Sequence, residues 1–140
     1  MYQKDYILRT IEMLGEMIAG ILGLIKKGEF EKAGEKLESI YYKLLKEDSS
    51  FFSIIPENEL TDKLLNKHNY TNSHLEVLAE LFNAEAELCL AQGIIAGSLS
   101  YSRKSLKLFE FIDKEYKTYS QGRINKMEAV RKRITTLEKS

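Results

Sequence analysis

Ser73-His-Leu-Glu-Val-Leu-Ala-Glu-Leu-Phe-Asn-Ala-Glu-Ala-Glu-Leu-Cys-Leu-Ala-Gln-Gly93 is the most informative stretch of the chain. Leu75, Leu78, Leu81, Phe82, Leu88 and Cys89 recur at helical spacing and make one apolar face. Glu76, Glu80, Asn83 and Glu87 make a polar stripe beside it. Ser73 followed by Glu76 has the pattern of a capping box, and Gly93 is the residue type that closes a helix. The spacing therefore predicts a helix over 73–92. Glu85 breaks the pattern, because by helical angle it falls in the middle of the Leu78–Phe82–Cys89 face. A carboxylate there needs a partner or a raised pKa. Two roles are open to it: a structural bond to Tyr101 or a serine of the next helix, or contact with a ligand in a groove.

The same grammar extends in both directions. Gln3–Lys27 predicts a first helix, with Ile7, Leu8, Ile11, Leu14, Ile18, Ile21, Leu22 and Ile25 as a wide apolar arc. Its polar stripe turns small at Ala19, Gly20 and Gly23. Glycine lowers helix stability by about 1 kcal/mol relative to alanine. Those positions are expected to admit a second backbone at close range, the alternative being that they are merely tolerated. Gly28 ends this helix, and Glu29–Glu47 predicts a second with Phe30, Ala33, Leu37, Ile40, Tyr41, Leu44 and Leu45 inward. Asp48–Ser49–Ser50 interrupts it. Phe51, Phe52, Ile54 and Ile55 then read as an apolar plug before Pro56, which opens a short helix to Lys67 with Leu60, Leu64 and Leu65 inward. Residues 68–72 read as a loop. Ile94–Lys117 predicts a fourth long helix with Ile95, Leu99, Leu106, Phe109, Ile112 and Tyr116 inward and Ser98, Ser102 and Ser105 on the same side. Ser120–Glu138 predicts a weaker fifth through Ile124, Met127, Val130, Ile134 and Leu137.

Composition agrees with one all-α domain. The chain has 140 residues, 44% hydrophobic and 30% charged, and a single proline, which suits long uninterrupted helices. One cysteine, Cys89, excludes an intrachain disulfide and any multi-cysteine zinc site, and its place on an apolar face predicts an inert thiol. The longest apolar run, Met17–Ile25, is nine residues, against about 18 for a membrane span. Glu12 and Glu16 stand where a signal peptide needs apolar residues, so a cytoplasmic protein is expected.

Few residues suggest chemistry. His68 and His74 lie six apart across a loop, not at helical metal-ligand spacing, and read as solvated loop histidines. No glycine-rich phosphate loop and no nucleophile–base pair appears, so no catalytic residue, metal or cofactor is expected. Charge is neutral overall but segregated: residues 1–93 hold 10 basic and 16 acidic side chains, and residues 94–140 hold 11 basic and 5 acidic. Such opposed fields pair within a chain or between subunits. Arg123, Lys126, Arg131, Lys132 and Arg133 on the fifth helix do not share one face, which weakens a nucleic-acid stripe.

Two helix–glycine–helix units emerge around Gly28 and Gly93, with Gly28-x-Phe30-x-x-Ala33 matching Gly93-x-Ile95-x-x-Ser98. Their offset is about two periods of a 34-residue repeat. The second unit resembles the tetratricopeptide repeat: Ala91–Gln92–Gly93 at the turn, then Ile95, Ser98, Tyr101, Ser105, Leu106 and Leu108. The first, Lys27 to Ala33, is similar around its turn. Ile95 replaces an aromatic, Tyr101 comes one residue early, and the closing proline is missing from both units. The resemblance implies an all-α fold of two tetratricopeptide-like helical hairpins (3–47 and 73–117), a linking segment with a short helix (48–72) and a C-terminal helix (120–138). It also implies a non-catalytic module that binds a protein or peptide through Glu80, Asn83 and Glu87, with Leu90 beyond; Glu85, singled out by its helical angle, joins them as a candidate contact. The matching positions of unit one, Gly15, Ile18, Leu22 and Ile25, imply cover either by another helix or by a second subunit, the latter making a homo-oligomer. The alternative is a nucleic-acid accessory protein using the basic fifth helix; a membrane role is a minor variant. The opening Tyr2-x-x-Asp5-Tyr6-Ile7-x-Arg9-x-Ile11-Glu12-Met13 is similar to a small bacterial family without assigned function, which implies a bacterial source and no chemistry.

Overall fold

The computed structural model describes residues 2–116 and 119–139, with side chains at Arg9 and from Glu12 onward. Every regular element among them is helical: α1 (Tyr2–Lys26), α2 (Phe30–Ile40, continuing as a wider π-turn over Tyr41–Leu45), α3 (Ser49–Ser53), α4 (Leu60–Asp62), α5 (Asn72–Ala91), α6 (Ile95–Tyr116) and α7 (Gln121–Glu138). A 3-10 turn over Glu57–Glu59 leads into α4, which also relaxes into a π-turn, Lys63–Lys67. The inward placement expected of Ile7, Leu8 and Ile11, and a helix end at Lys117, lie outside what is described.

Gly28 and Gly93 both adopt φ +78°, a left-handed conformation that glycine enters without a Cβ penalty. Each turn reverses the chain, so α2 packs on α1 and α6 on α5. The α5–α6 contact is the most extensive in the molecule. Small residues let these helices approach: the buried Ser98 and Ser105 hydroxyls donate to the carbonyls of Ala86 and Ala79, both at 2.8 Å. Seven residues up α6 thus match seven down α5, which fixes an antiparallel register. Gly97 completes the fit, since a Cβ there would stand 3.1 Å from Cys89 Sγ. α5 also packs on α1 and α2, and α7 folds back along α6. The Tyr70 hydroxyl donates to the Leu45 carbonyl at one end of α2, while Leu88 reaches Gly34 at the other. α5 therefore runs against α2 and along α1.

The core is continuous through Leu14, Ile21, Leu37, Tyr41, Leu78 and Phe82, all fully buried. The linking segment seals its lower end. Asp48 caps α3 by accepting from the Phe51 backbone N–H at 3.1 Å, and this turns Phe52 into the core against the Tyr41 ring.

Four expectations need correction. Ile54 does not join the apolar plug; it is 78% exposed, because α3 and the turn after it bring only Phe52 and Ile55 fully inward. Ile95 also faces out, at 39%, since the serine row of α6 takes the contact with α5. Gly20 and Gly23 admit no neighbouring backbone within this chain: nothing stands within 4 Å of a Cβ built at either, nor at Gly15. The capping box of α5 begins at Thr71, not Ser73. Thr71 Oγ1 accepts from the His74 N–H (3.4 Å) while His74 Nδ1 accepts from the Thr71 N–H (3.0 Å), so imidazole takes the part that glutamate or glutamine plays in the usual box.

Candidate interaction surface

The polar stripe of α5 is covered by α7. Glu80 accepts from Lys126 Nζ. Glu87 and Asn83 both accept from the Arg133 guanidinium, whose Nε donates to Ser102 Oγ of α6 at 2.8 Å. Arg133 is thus a three-way junction among α5, α6 and α7, with a side chain only 10% exposed. A planar guanidinium with donors on all three nitrogens suits such a place better than lysine would. Burial pushes its pKa down, and the Glu87 carboxylate opposes that shift. Glu80–Lys126 and Glu87–Arg133 are each separated by 46 residues, so α5 and α7 run parallel and in register.

The seam extends along α6. Arg123 Nε donates to Asp113 at 2.8 Å, Arg131 to Glu110 at 3.2 Å, and Glu138 accepts from Arg103 at 2.7 Å. The last two pairs are exposed and are worth little individually. Met127, Val130 and Leu137 of α7 are buried beneath them. Four of the five basic residues of α7 singled out from the sequence therefore face carboxylates of this chain. Glu76, at the start of the stripe, lies half-buried; desolvation raises its pKa, with Arg123 and Lys126 opposing.

Glu85 belongs to a different environment. It points between α2 and α6, where Tyr101 hydrogen-bonds to it, the partner the sequence suggested. Burial raises its pKa to about 7, with the Glu38 carboxylate adding to the rise. Glu38 itself accepts from the Ser49 backbone N–H at 3.0 Å. The Tyr41 hydroxyl is buried here with no hydrogen-bond partner, and its pKa is pushed well up by burial and by Glu85. Cys89 is partly buried close by, and desolvation lifts its thiol above the ordinary value. Of the four residues expected to bind a partner, Glu80, Asn83 and Glu87 thus form one surface and Glu85 lies apart from them.

The histidines are not simply solvated. His74 stacks on the Tyr70 ring (centroids 4.6 Å apart), His68 meets the same ring edge-on at 4.7 Å, and His68 Nε2 lies 3.6 Å from Glu47. Among the described residues no group of three or more histidine, cysteine, aspartate or glutamate side chains is placed to hold a metal ion.

Sequence reasoning missed Arg133 as an anchor. The signal was present: Glu80 and Glu87 are seven residues apart, and so are Lys126 and Arg133. Lys104 was missed too. It is buried, its pKa lowered by desolvation, and its ammonium donates to the Ser53 carbonyl at 2.6 Å, tying α6 to α3.

These features define a small all-helical scaffold with an acidic stripe on one helix and a basic helix laid along it. Comparison with family models, curated proteins and solved structures finds no match. Among the described residues, no helix is long and apolar enough to cross a membrane.

Proposed function

We propose that the chain is a non-catalytic protein-interaction module in which the α5 stripe recognises a basic amphipathic helix, with α7 as its built-in occupant. The supporting observation is Arg133, held by Asn83, Glu87 and Ser102 at once. On this reading α1 and α5 are the first helices of two tetratricopeptide-like hairpins, the stripe is part of their groove, and α7 is the C-terminal helix laid in it. The partner carries two cations seven residues apart, with apolar residues placed like Met127 and Val130 between them and one like Leu137 a turn beyond. It competes with α7, and the exchange is electrostatically steered. The nucleic-acid alternative is left with only Lys132 of the five basic residues not set against a carboxylate.

The test uses a labelled peptide of residues 120–139 and the full chain, read by fluorescence anisotropy. In a Lys126→Ala/Arg133→Ala variant the cis helix loses its ionic anchors. The peptide should bind that variant at least about ten-fold more tightly than wild type, a difference of ~1.4 kcal/mol. Adding Glu80→Gln and Glu87→Gln should abolish the gain. Equal binding to wild type and variant would overturn the reading and leave α7 a purely structural helix.

A further inference from the structure

A second surface lies across α1 and α2. Met17, Gly20 and Ile21 of α1 and Ile40 of α2 floor a groove of about 320 Å³, bounded by Glu16 on one side and by Lys36 and Lys43 on the other. Glu12 extends the acidic flank one turn along α1. All four charged side chains are exposed and form no ion pair with any described residue. At Gly20 the groove is open, with nothing within 4 Å of a built Cβ. Met13, on the same helix, is 55% exposed.

We infer that this groove is the contact between two copies of the chain. A two-fold axis along the groove lays the acidic α1 flank of each copy on the basic α2 flank of the other, because one surface carries both signs on opposite edges. Isologous interfaces need that self-complementarity, and a partner of single-sign charge would gain on one edge and lose on the other. Equal numbers of acidic and basic residues leave the two copies without net repulsion. The space at Gly20 lets the helices come within close range. The apolar floor is small, so the association is weak. It is independent of what the α5 stripe binds.

The experiment is sedimentation velocity on the full chain from low micromolar to millimolar concentration. Wild type should pass from monomer to dimer. Gly20→Leu should fold at least as well, since leucine is the stronger helix former, and should remain monomeric. Glu16→Lys alone, and Lys36→Glu/Lys43→Glu alone, should each weaken association by at least about ten-fold. Combining the three substitutions should restore it to within about three-fold, and this exchange decides the matter if Gly20→Leu fails to fold. A wild type that stays monomeric throughout would overturn the inference. So would a dimer that none of the variants weakens, or single reversals that the combined variant does not rescue.

Discussion

Glu87 and Arg133 meet across α5 and α7 in the same register as Glu80 and Lys126, two helical turns away. The relation is repeated and parallel, so two side-chain bridges in one register join α5 to α7, whose backbone packs chiefly on α6. Arg133 is the stronger member because it is nearly buried and bonded on three sides. Lys126 remains half exposed to water, where an ion pair contributes less.

Arg133→Ala should therefore cost about 2–4 kcal/mol, because it strands the partly buried Glu87 and Asn83 as well as removing three bonds. Lys126→Ala should cost less than about 1 kcal/mol. Chemical denaturation of the two variants against wild type measures both, and a larger loss for Lys126 would contradict the order.

Glu85 should make stability fall as pH rises. Its folded pKa is about 7 against an ordinary 4.5, so the folded state holds the proton more tightly than the unfolded chain does. No penalty applies below about 4.5, where both states are protonated; it grows toward 7 and is complete above. Glu85→Gln, which keeps an acceptor for Tyr101, should stabilise the protein at pH 8 by about 1–3 kcal/mol, discounted for partial exposure. Equal unfolding free energies of variant and wild type at pH 8 would sink this.

His74 should act with the opposite sign. Its pKa is lowered, chiefly by burial and then by His68, so the neutral ring belongs to the folded state. The cap needs that ring neutral, since a protonated Nδ1 cannot accept from the Thr71 N–H. Stability from this group is present above the unfolded value of 6.5 and is lost as pH falls below it through the depressed folded pKa. His74→Gln preserves an acceptor at the capping-box position and should flatten that acid limb, while His74→Ala should cost about 1 kcal/mol at neutral pH. Melting curves of the three proteins across mildly acidic pH are the check.

Tyr41 should tolerate loss of its hydroxyl. The oxygen is buried without a partner, so the folded state carries its desolvation cost with no compensating bond. Tyr41→Phe keeps the ring stacked on Phe52 and should stabilise by up to about 1 kcal/mol. A destabilised Phe variant would show that the hydroxyl has a partner in solution.

The helices were legible because their signals are local: glycine at two reversals, apolar residues at helical spacing, and serines in a row. Glu85 was legible for the same reason, since a carboxylate inside an apolar face stands out without knowledge of the fold. The Thr71 box was hidden by Ser73–Glu76, an equally good pattern two residues on. In the fold His74 stacks on Tyr70 and closes the box with Thr71, while the Ser73 side chain hydrogen-bonds Tyr116 instead. The cover over Glu80, Asn83 and Glu87 depended on which helix lies beside α5. Charge along a single helix reads the same whether the stripe meets water, a partner or its own chain. The glycines of α1 show the same limit, since their open space is a property of what is absent beside them.

The most direct measurement is hydrogen exchange of the α7 amides, residues 121–138, in the wild-type full chain with and without saturating unlabelled 120–139 peptide. If the α5 stripe recognises basic helices and α7 is its resident occupant, the peptide should displace α7, and protection of the cis α7 amides should fall while that of α6 holds. Protection of α7 that is unchanged at saturation would contradict the account.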